Sequence, residues 1–170
     1  MSLYVLIYSI NINGFLSKTE SFKSIISMLN PSVILQSETL FKYNKRMNIP
    51  GYASFTRNIN SKGGGGVASS VRESEASKCL RPRSGRGSNE YIITRHSQFS
   101  VPLNIINVYG AQECRTSREE IVRHWEELMA EVTQIETKGE ALVMAGDMNC
   151  LVGDIVIGND RKISSIAQSS

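Results

Sequence analysis

The sequence predicts an α/β fold with parallel and antiparallel strands mixed, and three observations predict it. A strand, helix, strand unit opens the chain. Two stretches between residues 51 and 109 have the pattern of antiparallel hairpins. A long amphipathic helix then runs into an apolar strand that ends in AGDMN. The first unit favours a parallel pair joined by a right-handed crossover. With 170 residues the chain suits one domain with a substantial core and is short for two, so a single domain over 1–170 is expected.

The elements follow in order. Leu3 to Ile10 is apolar and β-branched, as a central strand is. Ser17 to Glu20 has the S-x-x-E form of a capping box, and Phe22, Ile25, Ile26 and Leu29 repeat at the one-face spacing of a helix. Asn30-Pro31 stops that helix, and Val33-Ile34-Leu35 opens a second strand. Tyr52 to Thr56 and Val67 to Val71 flank KGGGG as a hairpin would. Residues 72–89, polar and containing KCLRPRSGRG, read as a loop. Glu90 to Arg95 and Leu103 to Tyr109 form another antiparallel pair, turning through His96 to Pro102. A second capping box, Ser117 to Glu120, starts a helix whose buried stripe is Ile121, Trp125, Leu128, Val132 and Ile135; Lys138-Gly139 ends it. The last clear strand starts at Ala141, and its run LVMAGDMNC (Leu142 to Cys150) looks buried on both faces. The tail from Asp154 to Ser170 has weak periodicity.

Composition sets wide bounds. Hydrophobic residues make up 41% and charged residues 21%, the values of an ordinary soluble protein. A net charge of +3 permits a polyanionic partner without demanding one. Cys79, Cys114 and Cys150 are widely spaced with no C-x-x-C, so free thiols in a reducing compartment are expected. MSLYVLIYSI has no basic segment before its apolar run, and reads as a first strand rather than a signal peptide. No run approaches a membrane span. A soluble intracellular protein without a membrane partner is therefore expected.

Polar residues gather at strand ends. The first strand runs into Asn11-Ile12-Asn13-Gly14, the second into Gln36-Ser37-Glu38, the strand from Leu103 into Asn107-Val108-Tyr109, and the strand from Ala141 into Asp147-Met148-Asn149. Each has a plain alternative: Asn-x-Asn-Gly is usually a turn, a Glu after a strand is usually solvated, and a Tyr there is usually packing. Asp147 and Asn149 stand two apart, so an extended chain points both to one side. The carboxyl edge of an open α/β sheet is where ligands bind. Two carboxylates, amides and a phenol suit metal-assisted phosphoester cleavage, because Mg²⁺ takes oxygen ligands, keeps several waters and needs few carboxylates. The motifs GxxxxGK[ST], G-x-S-x-G and H-E-x-x-H do not occur, which excludes a P-loop and argues against two common hydrolase types.

SININGFLSK, VILQSETL, GGGGVASSV, LNIINVYG and VMAGDMNCLVGD occur in an order and spacing that resemble the endonuclease/exonuclease/phosphatase superfamily, the fold of DNase I and of apurinic/apyrimidinic endonucleases. The NING followed by SK, the element Ile49-Pro50-Gly51-Tyr52 and the glycine-rich GGVA most resemble the endonuclease domain of non-LTR (LINE-like) retrotransposons. The resemblance covers residues 3–155. It implies a four-layer α/β sandwich, two mixed sheets packed together with helices outside, truncated at the C-terminus to about the first three-quarters of the domain. It implies Mg²⁺ (or Mn²⁺) as cofactor, DNA as partner, and nicking of target DNA. A reverse transcriptase on the same parent polypeptide and a nuclear location would follow.

Residue by residue, Glu38 matches the family's metal ligand with Asn11 beside it. Asp147 matches the group that orients or activates the attacking water, and Asn149 the amide on the scissile phosphate. Tyr109 matches the active-site tyrosine. Asn13 falls where abasic endonucleases often carry Asp; it is assigned with Gln112, Arg81, Arg83 and Arg86 to substrate or DNA contacts. Nothing after Asp154 matches the family's further Asp or its closing Ser-Asp-His, and His96 and His124 read as surface or interface residues. Impaired or absent activity of the chain is therefore expected. The alternatives are a non-catalytic nucleic-acid-binding remnant and a phosphoinositide or sphingolipid phosphodiesterase on the same fold.

Overall fold

A computed structural model describes residues 4–41, 47–58, 65–76, 79–84, 90–110, 116–149, 156–157 and 161–162, with backbone alone for 79–84 and the last two pairs. Cys114 and Cys150 lie outside the described residues, and Cys79 is described in backbone only.

The elements in chain order are β1 (Ile7–Asn11), α1 (Phe15–Leu29), β2 (Val33–Ser37), β3 (Tyr52–Arg57), β4 (Val67–Arg72), α2 (Glu73–Ala76), β5 (Cys79–Ser84), β6 (Glu90–His96), β7 (Leu103–Tyr109), α3 (Arg118–Thr137), β8 (Ala141–Asp147), β9 (Val156–Ile157) and β10 (Arg161–Lys162). β9 and β10 pair with each other. The rest form two four-stranded sheets, β1-β2-β4-β3 and β5-β6-β7-β8. In each sheet one pair is parallel, β1 with β2 and β7 with β8, and the remaining pairs are antiparallel.

Strand alternation builds the layers. On β2, Ile34 faces a cluster with Phe22 and Ile26 of α1, while Val33 and Leu35 face Ile105 of the other sheet. On β7, Ile105 turns inward, and Ile106 and Val108 turn toward Leu128, Val132 and Ile135 of α3. The order is thus α1, first sheet, second sheet, α3: the expected sandwich. The sheets are also tied by a polar link. Asn107, fully buried, donates from Nδ2 to the carbonyls of Gln36 (3.1 Å) and Ala68 (2.8 Å) on β2 and β4.

Several local expectations are corrected. β1 starts at Ile7 rather than Leu3, and Tyr4 before it is exposed. Ser17 does not cap α1; Gly14 does, and the Ser17 hydroxyl donates to the Gly14 carbonyl at 3.1 Å. The cause lies in Phe15, whose ring meets Phe22 and Phe41 edge-on at 5.6 and 5.5 Å. Burying that ring pulls the helix start earlier. Leu29 falls off the buried stripe.

Residues 72–89 are not all loop, since they contain α2 and the edge strand β5. An edge strand needs hydrogen bonds on one side only and no apolar pattern, so composition hides it. Its register shifts between Leu80 and Arg83, and Pro82, which cannot donate to a ladder, sits in that irregularity. Both histidines are buried rather than at the surface. His96 Nε2 lies 3.1 Å from Thr94 Oγ1, and His124 meets Tyr91 and Trp125 edge-on; burial holds both below the usual imidazole range. β8 is an edge strand with half-exposed faces, not a fully buried one.

Candidate active site

Two parallel strand pairs, one from each sheet, finish at the same place. In the first sheet Asn11 pairs in register with Ser37, which precedes Glu38. In the second, Tyr109 pairs with Asp147. Two hydrogen bonds then cross between sheets. Asn11 Nδ2 donates to Asp147 Oδ2 at 2.7 Å, and the Tyr109 hydroxyl donates to Glu38 Oε1 at 2.7 Å.

The chain turns sharply at each residue that leaves a strand. Asn13, Glu38 and Asn149 have φ of 42°, 52° and 47°. Asn tolerates this region, but Glu does not, and such a residue costs about 1–3 kcal/mol. Asp147 and Asn149 are brought together, by a different route from strand alternation. β8 ends at Asp147, whose Oδ1 accepts the Asn149 backbone N–H at 3.1 Å. The Asn149 side chain donates to the Gly110 carbonyl at 2.9 Å. Gly146, just before, has φ 134°, and a Cβ there would lie 2.0 Å from the Val108 carbonyl oxygen. Only glycine lets β8 approach β7 this closely.

An open cavity of about 610 Å³ lies on the β1–β8 side of this corner, lined by Asn11, Gly146, Asp147 and Asn149 among others, but not by Glu38 or Tyr109. Tyr109 is held protonated: burial, then its hydrogen bond to Glu38, raise its pKa well above the ordinary phenol. Glu90, at the start of β6 and opposite Tyr109 in register, was not singled out in the sequence. Its pKa is raised to about 7, first by burial, against the lowering effects of the Gly66 N–H and Arg57. One signal could have found it: an antiparallel pairing of the Glu90 and Leu103 strands sets Glu90 beside Tyr109.

Of the residues singled out, Asn11, Glu38, Tyr109, Asp147 and Asn149 come together, and Asn13 sits on their rim through its N–H to Asn11 Oδ1 at 3.0 Å. Arg81 and Arg83 lie on β5, described in backbone only, while Gln112 and Arg86 lie outside the described residues.

No protein-family model and no curated protein matches the sequence. Solved structures do match in fold. The catalytic domain of Xenopus laevis APE2 superposes with a TM-score of 0.70 over 91% of this chain and 62% of its own, at 18% identity. The chain has the endonuclease/exonuclease/phosphatase fold. Caenorhabditis elegans TDP2, in truncated form, gives 0.65 over 91% of this chain and 67% of its own, at 16% identity. The Neisseria 3′ phosphatase NExo, bound to a product DNA hairpin, gives 0.62 over 86% and 58%, at 16%. The chain spans about six-tenths of the length of the APE2 catalytic domain and of the Archaeoglobus fulgidus AP endonuclease that it matches.

Proposed function

We propose that the protein is a divalent-metal-dependent phosphodiesterase acting on DNA, of the kind that nicks target DNA for a LINE-like retrotransposon. The observation that carries this reading is the corner where Asn11, Glu38, Tyr109 and Asp147 from both sheets meet through two 2.7 Å hydrogen bonds. Its potential ligands are all oxygen, from two carboxylates and neutral amides, with no thiolate or imidazole among them. That donor set fits Mg²⁺ or Mn²⁺, which combines one or two carboxylates with water and phosphate oxygens. Glu38 and Asn11 would hold the ion, which when bound would neutralise charge developing on the phosphate.

The chain's own residues divide the remaining work. Asp147, fixed by the Asn11 amide and the Asn149 N–H, orients the attacking water through a carboxylate that already has two donors. Asn149 offers its amide to a non-bridging phosphate oxygen without adding negative charge, while Tyr109, whose one O–H proton goes to Glu38, fixes that carboxylate. Asn13, Gln112, Arg81, Arg83 and Arg86 are proposed contacts to the DNA, and NExo, of the same fold, holds a DNA hairpin. A reverse transcriptase on the same polypeptide and a nuclear location would accompany the retrotransposon reading.

The test is hydrolysis of a nitrophenyl phosphodiester by the 170-residue chain. Turnover that requires Mg²⁺ or Mn²⁺ and disappears in Asp147→Ala is expected. Binding of DNA without any metal-dependent turnover would favour the non-catalytic reading instead.

A further inference from the structure

We propose that Glu90 is a positioning residue for Glu38, acting through the Gly65–Gly66 turn. The inference rests on the reading of Glu38 as a metal ligand and adds a residue that this reading does not use.

The Glu38 loop is an improbable piece of backbone. Glu38 and Leu40 both have positive φ, 52° and 54°, so the loop needs clamping from outside to persist. One side of the clamp is the start of α1, where the Gly14 and Phe15 N–H groups donate to the carbonyls of Glu38 (2.8 Å) and Thr39 (3.2 Å). The other side is the glycine turn. The Thr39 N–H donates to the Gly66 carbonyl at 3.1 Å, and the Leu40 N–H to the Gly65 carbonyl at 3.0 Å.

That turn is in its own right held by Glu90. The Gly66 N–H donates to Glu90 Oε2 at 2.8 Å. The carboxylate also lies against the Gly65 α-carbon: a Cβ there would stand 2.7 Å from both carboxylate oxygens. Glycine at 65, at φ 129°, therefore serves two needs, the turn and the seat for the carboxylate. From Glu90 the contacts run unbroken to the backbone on which Glu38 is mounted. Tyr109, beside Glu90 in register, fixes the other end of the same side chain by its hydrogen bond to the Glu38 carboxylate. Glu90 thus ties β6 of the second sheet to the β2 and β4 ends of the first, at the place where the ion would sit.

The hydrogen-bond acceptor is the feature that matters, so the variants separate acceptor from charge. Glu90→Gln keeps an oxygen at the same reach, whereas Glu90→Asp keeps the charge and falls one methylene short. Two readouts apply to the full chain: amide hydrogen exchange at Thr39 and Leu40 by NMR, and Mn²⁺ affinity by calorimetry. In Glu90→Asp, exchange at those two amides should quicken by about tenfold, the equivalent of one hydrogen bond, and Mn²⁺ binding should weaken by a similar factor. Glu90→Gln should resemble the wild type in both. Thr39 and Leu40 amides and Mn²⁺ affinity unchanged in Glu90→Asp would overturn the proposal, as would a Gln variant that fails as badly as Asp. A wild-type chain that binds no Mn²⁺ contradicts the functional reading instead, and the exchange comparison then decides the role of Glu90 by itself.

Discussion

Tyr109 and Glu38, on different sheets, share one hydrogen bond of 2.7 Å. The donor must be the phenol, because burial and the adjacent carboxylate hold its proton in place. Removing the hydroxyl leaves the carboxylate free to swing within the corner. Tyr109→Phe should therefore weaken Mn²⁺ binding moderately, by about tenfold for one charge-assisted hydrogen bond. Glu38→Gln should weaken it further, because an amide cannot supply the charge a hard cation prefers. Calorimetric titration of the two variants gives that ranking directly; equal affinities across wild type, Phe and Gln would remove Glu38 from the site.

Glu90 gives the protein a pH-dependent stability. Burial pushes its carboxyl from the ordinary glutamate range up to about 7. The folded state then holds a proton that the unfolded chain releases, so stability is full below the unfolded pKa and falls as pH rises through 7. Arg57 on β3 lessens the shift and Glu38 adds to it. A change of this size corresponds to at most about 3–4 kcal/mol. Urea unfolding at pH 5 and pH 8 should show the loss in wild type and a smaller one in Glu90→Gln. Parallel curves for the two proteins would show that Glu90 titrates normally.

Asn107 offers a purely structural prediction. Its amide supplies donors to carbonyls of two strands in the opposite sheet, so Asn107→Ala leaves buried acceptors without that donor and opens space. The cost should be about 2–3 kcal/mol. A lowered urea midpoint with unchanged slope is the expected signature. A midpoint within error of wild type would mean that the sheets are held without this link.

Much of this arrangement is legible in the residues. The apolar runs at Val33, Leu103 and Ala141, with the capping box at Ser117, mark elements whose local and tertiary preferences agree. The capping box is made in full. Four strand ends with polar tips also point to the corner, since strand direction follows from a strand, helix, strand unit. Glu90 escapes notice because its importance depends on a contact with Gly66, 24 residues away, and a Glu at a strand start has no pattern of its own. The edge strand β5 escapes for the opposite reason: it needs no apolar face. β8 misleads because an apolar run reads alike whether one face or both are covered. The two histidines mislead because their burial comes from pairing and helix docking, which local polarity does not report.

The histidines shape the expected chemistry. His96 closes β6 at the end opposite Glu90, about 20 Å along the strand at the usual rise. His124 lies on α3 against Tyr91 and Trp125, on the outer face of the second sheet. Neither can protonate an oxygen leaving from the corner, and a missing general acid costs about 10²–10⁴-fold. The 170-residue chain should therefore cleave a nitrophenyl phosphodiester, whose leaving group needs no proton, far better than it nicks plasmid DNA. Comparable metal-dependent rates on both substrates, normalised to their spontaneous hydrolysis, would mean that another residue supplies the acid.

If Asn11, Glu38 and Asp147 converge on a divalent cation, the ion itself should be visible there. Anomalous diffraction from crystals of the protein grown with Mn²⁺ tests it most directly. A peak is expected within direct coordination distance of a Glu38 carboxylate oxygen, about 2.0–2.3 Å away as for small hard cations, and should disappear in Glu38→Gln. A peak elsewhere, or none at this corner at millimolar Mn²⁺, would contradict it.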